Sequence, residues 1–196
     1  MTTIKNYLSL VKFSHTIFAM PFALIGFFLA FPMLVVDDSS VVQWDLNKII
    51  GWDDSVWWEA GIKKFVLVIL CMVFARSAAM AFNRYLDRHF DAKNPRTAIR
   101  EIPKGIITPK NALTFTIVNC VLFIITTYFI NMLCFALSPV ALAVVLGYSY
   151  TKRFTPLCLL VLGLGLALAP IGAYLAVTGA FHWLPILFSF AVLFWV

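Results

Sequence analysis

The segment Asn83-Arg84-Tyr85-Leu86-Asp87-Arg88-His89-Phe90-Asp91 sets an amide and two carboxylates at intervals of four residues, directly after a long apolar run. Side chains four apart on a helix stack on one face, so Asn83, Asp87 and Asp91 are expected to form a row of oxygen donors. Oxygen-only donors suit a hard cation such as Mg²⁺, which is usually held by one or two carboxylates together with substrate phosphates. Carboxylates at the edge of a hydrocarbon layer are costly to keep there, which points to function rather than packing. Arg76 precedes Asn83 by seven residues and falls on nearly the same face. The chemistry these residues suggest is the holding of a metal–diphosphate, with Asn83, Asp87 and Asp91 as ligands.

Two basic segments could supply its counter-charges. Asn94 to Gly105 carries Arg96 and Arg100, whose guanidinium groups can grip anionic oxygens in a bidentate manner that Lys cannot. Tyr148-Ser149-Tyr150-Thr151-Lys152-Arg153 ends in a cation pair. Each feature has a plainer explanation. The acid row could be a solvated helix end, paired to Arg84, Arg88 or Lys93 at helical spacing. Asn94 to Gly105 could be a turn punctuated by Pro and Gly, and Lys152-Arg153 a topology anchor. His15, His89 and His182 make no ligand spacing. Cys71, Cys120, Cys134 and Cys158 all lie in apolar segments without a CxxC, which supports neither a metal cluster nor a disulfide framework. No Gly-rich phosphate loop, nucleophile elbow or HExxH is found.

The elements that must position these groups are transmembrane helices. The chain of 196 residues is 62% hydrophobic with a mean hydropathy of +0.94, well above a soluble domain. Its apolar runs approach the roughly 20 residues that cross a bilayer as a helix, and they are continuous rather than alternating, which argues against a barrel. The expected fold is an all-α, multi-pass helical bundle. Spans are read at about Thr16 to Val36, Phe65 to Phe82, Ala112 to Ile130, Met132 to Tyr148 and Leu157 to Val177, with a sixth beginning near Leu184. The net charge of +6 reflects Lys and Arg gathered in cytoplasmic loops, and nucleic acid is not implied. Crossing counts place the N-terminus, the Arg84 to Lys110 loop and the Lys152-Arg153 turn together on the cytoplasmic side. The acidic loop Asp37 to Lys64, with Trp44, Trp52, Trp57 and Trp58 as interface residues, falls on the other side as an outer-surface insertion of unassigned role. Leu184 to Val196 is too short to cross, so the chain is expected to be a fragment.

Read in order, several motifs resemble the UbiA superfamily of intramembrane prenyltransferases, and its 4-hydroxybenzoate polyprenyltransferase branch in particular. They are the opening Lys12-Phe13-Ser14-His15-Thr16-Ile17-Phe18-Ala19-Met20-Pro21-Phe22-Ala23, Arg76-Ser77-Ala78-Ala79, the Asn83/Asp87/Asp91 row, Arg96-Thr97 with Arg100, Ile102-Pro103-Lys104-Gly105, and Tyr150-Thr151-Lys152-Arg153-Phe154-Thr155. The resemblance implies a bundle of nine helices around a central cavity, with two Asp-rich motifs facing each other near the cytoplasmic side. It implies Mg²⁺-dependent transfer of a polyprenyl group from a polyprenyl diphosphate to an aromatic acid such as 4-hydroxybenzoate. That reaction belongs to ubiquinone or menaquinone biosynthesis in the bacterial inner membrane. Carried onto this chain, Asn83, Asp87 and Asp91 would be the catalytic metal site, and Arg76, Arg96, Arg100, Lys152 and Arg153 would contact the diphosphate. Residues 1–196 would be the N-terminal portion of one domain, about five complete spans and part of a sixth. The second Asp motif would lie beyond Val196, and this portion alone would be inactive. The competing reading is a transporter or noncatalytic helical membrane protein that binds a cation at Asp87 and Asp91. The spans, Arg76 apart, hold almost no ionisable residues, which disfavours an ion path.

Overall fold

The structure, a computed structural model, describes residues 2–34, 61–155 and 157–195. Its helices are α1 (Thr2–Leu10), α2 (Phe13–Leu34), α3 (Lys63–Lys93), α4 (Pro109–Ile130), α5 (Met132–Thr151), α6 (Cys158–Thr178) and α7 (Trp183–Trp195). Among the described residues no strand occurs. By length and composition α3, α4, α5 and α6 can each cross a membrane, and Met20–Ala30 within α2 and the whole of α7 are shorter apolar stretches. The protein is thus the expected all-helical membrane bundle, and the helix limits fall within a few residues of the spans read from hydropathy except in α3, which continues past Phe82 to Lys93 and carries the acid row. The acidic Trp-rich loop lies outside the described residues except for its last four.

Helix α3 has two functions in one element. At about 1.5 Å per residue its 31 residues reach roughly 46 Å, well beyond the roughly 30 Å of a hydrocarbon core. The apolar half spans, and the polar half, with Asn83, Asp87 and Asp91, extends past it. A second feature explains why α4 and α5 need almost no loop. Asn131 alone separates them: its Oδ1 accepts from Cys134 N at 2.7 Å as the N-cap of α5, and its Nδ2 donates to Leu175 O of α6 at 2.8 Å. At the start of α4, Thr108 Oγ1 accepts from Asn111 N at 3.2 Å and Pro109 occupies the first turn, a favoured helix opening.

Packing relies on small residues, because lipid supplies no hydrophobic force to drive helices together. A Cβ on Gly26 of α2 would lie 2.2 Å from Pro170 O of α6, and one on Gly163 of α6 would lie 2.7 Å from Leu193 O of α7. One buried cluster joins Ala23, Phe27 and Ala30 of α2, Val68 of α3, and Ala173, Tyr174, Ala176 and Val177 of α6. A second, Leu10, Ala81, Ile102, Ile107 and Ala112, sits under the basic loop. That loop is therefore packed onto the bundle through Ile102 and Ile107. Helix α1, which hydropathy did not announce, seals the same cluster with Leu10 and stacks Tyr7 on Phe115 at 5.0 Å between ring centroids.

Candidate active site

The site forms where the polar half of α3 meets the C-terminal end of α5 and the 94–108 loop. Asp87 and Asp91 are buried although they stand at a helix end. Lys152, just after α5, donates from Nζ to Asn83 Oδ1 at 3.0 Å and to Asp87 Oδ2. Arg153 Nη2 donates to Leu86 O at 2.7 Å and lies 4.0 Å from Asp87 Oδ1. From the loop, Arg100 Nη1 donates to both oxygens of Asp91, at 2.9 and 2.7 Å. Two of the three helical-spacing partners that a plain solvated helix end would use are engaged elsewhere. Arg84 pairs with Glu101, and Arg88 donates to Tyr85 O at 2.7 Å while lying over the Tyr85 ring.

A pocket of about 450 Å³ opens on this arrangement, lined by Asp87, Phe90, Asp91, Asn94, Thr97, Lys152 and Arg153. Thr97 Oγ1 donates to Asp91 O at 3.0 Å and Asn94 Oδ1 accepts from Arg96 N at 3.0 Å, so the loop folds back over the end of α3. The wall thus carries two carboxylates against the cations Lys152 and Arg153, and Arg100, outside the wall, is bonded to Asp91. Such a surface suits an anion that arrives with a cation of its own.

Six of the eight residues singled out from sequence come together here: Asn83, Asp87, Asp91, Arg100, Lys152 and Arg153. Two do not. Arg96 is exposed and lines no part of the pocket. Arg76 lies two helical turns, roughly 10 Å, from Asn83 along α3. Its Nε is buried and has no hydrogen-bond partner among the described residues. Sequence reasoning missed Phe90, Asn94 and Thr97 as wall residues. It also missed Glu101, which accepts from Arg84 and from Ser9 of α1 and so ties loop, α3 and α1 together. The signal for Glu101 was present: it is the lone acid after Asp91 in a strongly basic loop.

The donor set fits Mg²⁺. Asn83 Oδ1 and Asp87 Oδ2 already converge on one cationic nitrogen, that of Lys152. Among the described residues no three His, Cys, Asp or Glu side chains gather as a complete metal cage. A divalent ion held here would draw its other oxygens from substrate phosphates and water, as Mg²⁺ characteristically does.

Known proteins resemble this chain in sequence and fold. A profile of the UbiA prenyltransferase family matches residues 50–196. Protoheme IX farnesyltransferase of Methylococcus capsulatus is 31% identical over 200 residues, covering 97% of this chain and 57% of that protein. 4-Hydroxybenzoate octaprenyltransferase of Aliivibrio fischeri is 36% identical over 111 residues, 57% of this chain and 39% of that protein. The chain spans about half the length of the curated relatives it matches. The solved structure of a UbiA homolog from Archaeoglobus fulgidus bound to GPP and Mg²⁺ shares the fold, with a TM-score of 0.68 at 21% identity over 96% of this chain and 59% of that one. With the match running from residue 50 through the acid row and both basic segments to residue 196, the chain belongs to the UbiA prenyltransferase family.

Proposed function

We propose that the protein transfers a prenyl group from a prenyl diphosphate to a second substrate within the membrane, with Mg²⁺ held by Asn83, Asp87 and Asp91. The observation that carries this reading is the convergence of Asn83 and Asp87 on a single cation, Lys152, beside Asp91, in a pocket that Arg153 also lines. Ionisation of an allylic diphosphate builds negative charge on the leaving group, and preorganised cations at that point lower the barrier. Bound Mg²⁺ supplies Lewis-acid stabilisation of that charge. Lys152, Arg153 and Arg100 contact the remaining phosphate oxygens, with Arg100 adding the geometry of a planar fork. Just inside the acid row, Phe82 lies 5.7 Å from Tyr150 and 6.5 Å from Tyr85 between ring centroids. Aromatic faces there shield the allylic cation from water and stabilise it.

The finer reading is a polyprenyl donor and an aromatic acid acceptor such as 4-hydroxybenzoate, in quinone biosynthesis. The Aliivibrio fischeri relative supports it by name. Arg76, whose buried Nε has no hydrogen-bond partner among the described residues, is a candidate contact for an anionic oxygen of acceptor or diphosphate in either reading. The second reading is transfer of a farnesyl group to heme, favoured by the Methylococcus capsulatus relative that matches nearly the whole chain. The bacterial inner membrane, with the site on the cytoplasmic face, is the location consistent with the basic segments at this end.

The test is Mg²⁺-dependent prenyl transfer by the whole protein in membranes, offered 4-hydroxybenzoate or heme. Asp87→Asn is expected to lower transfer by roughly 10²- to 10³-fold, the usual cost of losing one electrostatic stabiliser of the transition state. Unchanged transfer in that variant refutes the metal site. Activity with heme and none with the aromatic acid would reverse the order of the two acceptors.

A further inference from the structure

The cation contacts of the acid row have a consequence for how substrate and metal enter. Lys152 Nζ holds Asn83 Oδ1 and Asp87 Oδ2, and Arg100 holds both oxygens of Asp91. These are the oxygens a divalent ion would need. A divalent ion drawing on Asn83 Oδ1 and Asp87 Oδ2 together would sit where the ammonium of Lys152 now sits, and two cations at one point repel, so metal binding there works against the Lys152 contact.

We propose that Lys152 is a built-in competitor of the metal, which makes capture of a divalent cation conditional on a diphosphate that takes Lys152 in exchange. The inference rests on the proposed prenyl-diphosphate site and concerns its order of binding. Asp87 is 11% exposed at its side chain and Lys152 28%. Displacing Lys152 with a bare metal ion leaves an ammonium without its partner in a partly desolvated pocket, which is costly. A diphosphate changes the balance, because it offers Lys152 a new charge-assisted hydrogen bond while the carboxylates turn to the metal. Arg100 stands in the same relation to Asp91. Lys152 and Arg100 thus move from carboxylate to phosphate, and the number of their ion pairs is conserved. Metal alone finds the oxygens occupied; metal with diphosphate finds an exchange of partners. By linkage the effect is reciprocal: diphosphate tightens the metal by the same factor that the metal tightens diphosphate.

The measurement is binding of Mn²⁺ alone, as a paramagnetic probe for Mg²⁺, to the whole protein in lipid nanodiscs, read from the EPR signal of free Mn²⁺. Lys152→Met is expected to bind Mn²⁺ roughly tenfold more tightly than the unsubstituted protein, within the ordinary range of coupling between two sites. Adding Asp87→Asn to Lys152→Met should abolish the gain, and Lys152→Arg, which keeps the ion pair, should leave Mn²⁺ binding weak. Arg100→Met carries the same expectation through Asp91 and serves if Lys152→Met does not fold. The exposed loop cation Lys104 controls for general charge, because a screened surface charge alters metal affinity by only about twofold or less. Equal or weaker Mn²⁺ binding in both Lys152→Met and Arg100→Met overturns the proposal, as does a gain in Lys104→Met as large as theirs. Either result with transfer still dependent on Asp87 sinks the exchange and leaves the prenyltransferase reading standing. Transfer unaffected by Asp87→Asn sinks the parent reading instead.

Discussion

Arg84 stands three residues before Asp87, within reach of it by helical spacing, yet its guanidinium turns to Glu101. The choice matters because side chains 6% and 13% exposed leave little water to screen either charge. Glu101→Gln would strand Arg84 without a full counter-charge, at a cost of roughly 3–5 kcal/mol for breaking such a buried pair. The expected outcome is a lowered thermal midpoint together with impaired transfer, both restored in large part by Glu101→Asp; a midpoint unchanged in Glu101→Gln would show the tie to be dispensable. Two arginines of the loop offer a sharper contrast. Arg100 grips Asp91 with bonds of 2.7 and 2.9 Å, whereas Arg96 is exposed and outside the pocket. Arg100→Ala is expected to raise KM for the diphosphate about tenfold or more, as a lost charge-assisted bond of roughly 1.5–3 kcal/mol implies, and Arg96→Ala to move it little. Similar effects in both would mean that the loop acts as a diffuse positive field. At this scale the acid row was legible because helical spacing alone brings Asn83, Asp87 and Asp91 together. Its partners were not: Lys152 is 65 residues from Asp87, and no spacing rule joins side chains that meet only when two helices pack.

Hydropathy sufficed for the spans of the long helices, bounded by charge or by caps such as Thr108 and Asn131, though not for the C-terminal end of α3, which continues through the charged acid row to Lys93. It failed for α1, a helix of nine residues whose evidence lies in what it touches, Glu101 through Ser9 and Phe115 through Tyr7. Nor could composition say which glycines bring helices together and which merely occupy a turn of helix. Gly26 and Gly163 face backbone oxygens of the neighbouring helix, where a Cβ would come within 2.2 and 2.7 Å; Gly172, on the same helix as Gly163, has nothing within 4 Å. Substitution by Ala should separate them. Gly26→Ala and Gly163→Ala are expected to destabilise by about 1–3 kcal/mol, the range for overpacking a tight contact. Gly172→Ala should be neutral or stabilising by up to about 1 kcal/mol, since Ala is the better helix former. Thermal unfolding in one detergent reads all three, and a destabilised Gly172→Ala would contradict the packing described for α6.

The two ends of the bundle differ in chemistry, and the difference predicts orientation. One end gathers α1, the Arg84 to Lys110 loop and Lys152-Arg153 around the pocket; at the other, Lys64 Nζ and Asn131 Nδ2 cap the last carbonyls of α6, at Val177 and Leu175. Helix α6 connects the ends, its 21 residues reaching roughly 31 Å, about one hydrocarbon thickness. A diphosphate needs water and cations while its prenyl chain needs hydrocarbon, and only a site at the membrane edge satisfies both. For the proposed function, the positive-inside bias predicts that this edge faces the cytoplasm. In a background lacking Cys71, Cys120, Cys134 and Cys158, a cysteine at exposed Lys104 should react with a membrane-impermeant maleimide only from the cytoplasmic side. A cysteine at exposed Ala180, past the far end of α6, should react only from outside. The reverse pattern would place the acid row away from a cytoplasmic pool of prenyl diphosphate, and labelling of both from one side would mean that α6 does not cross. A transporter using Asp87 and Asp91 would need an ion path between these ends. The apolar stretches of the described spans offer it only Arg76, two turns from the row, so the asymmetry of the bundle favours a site entered from one face.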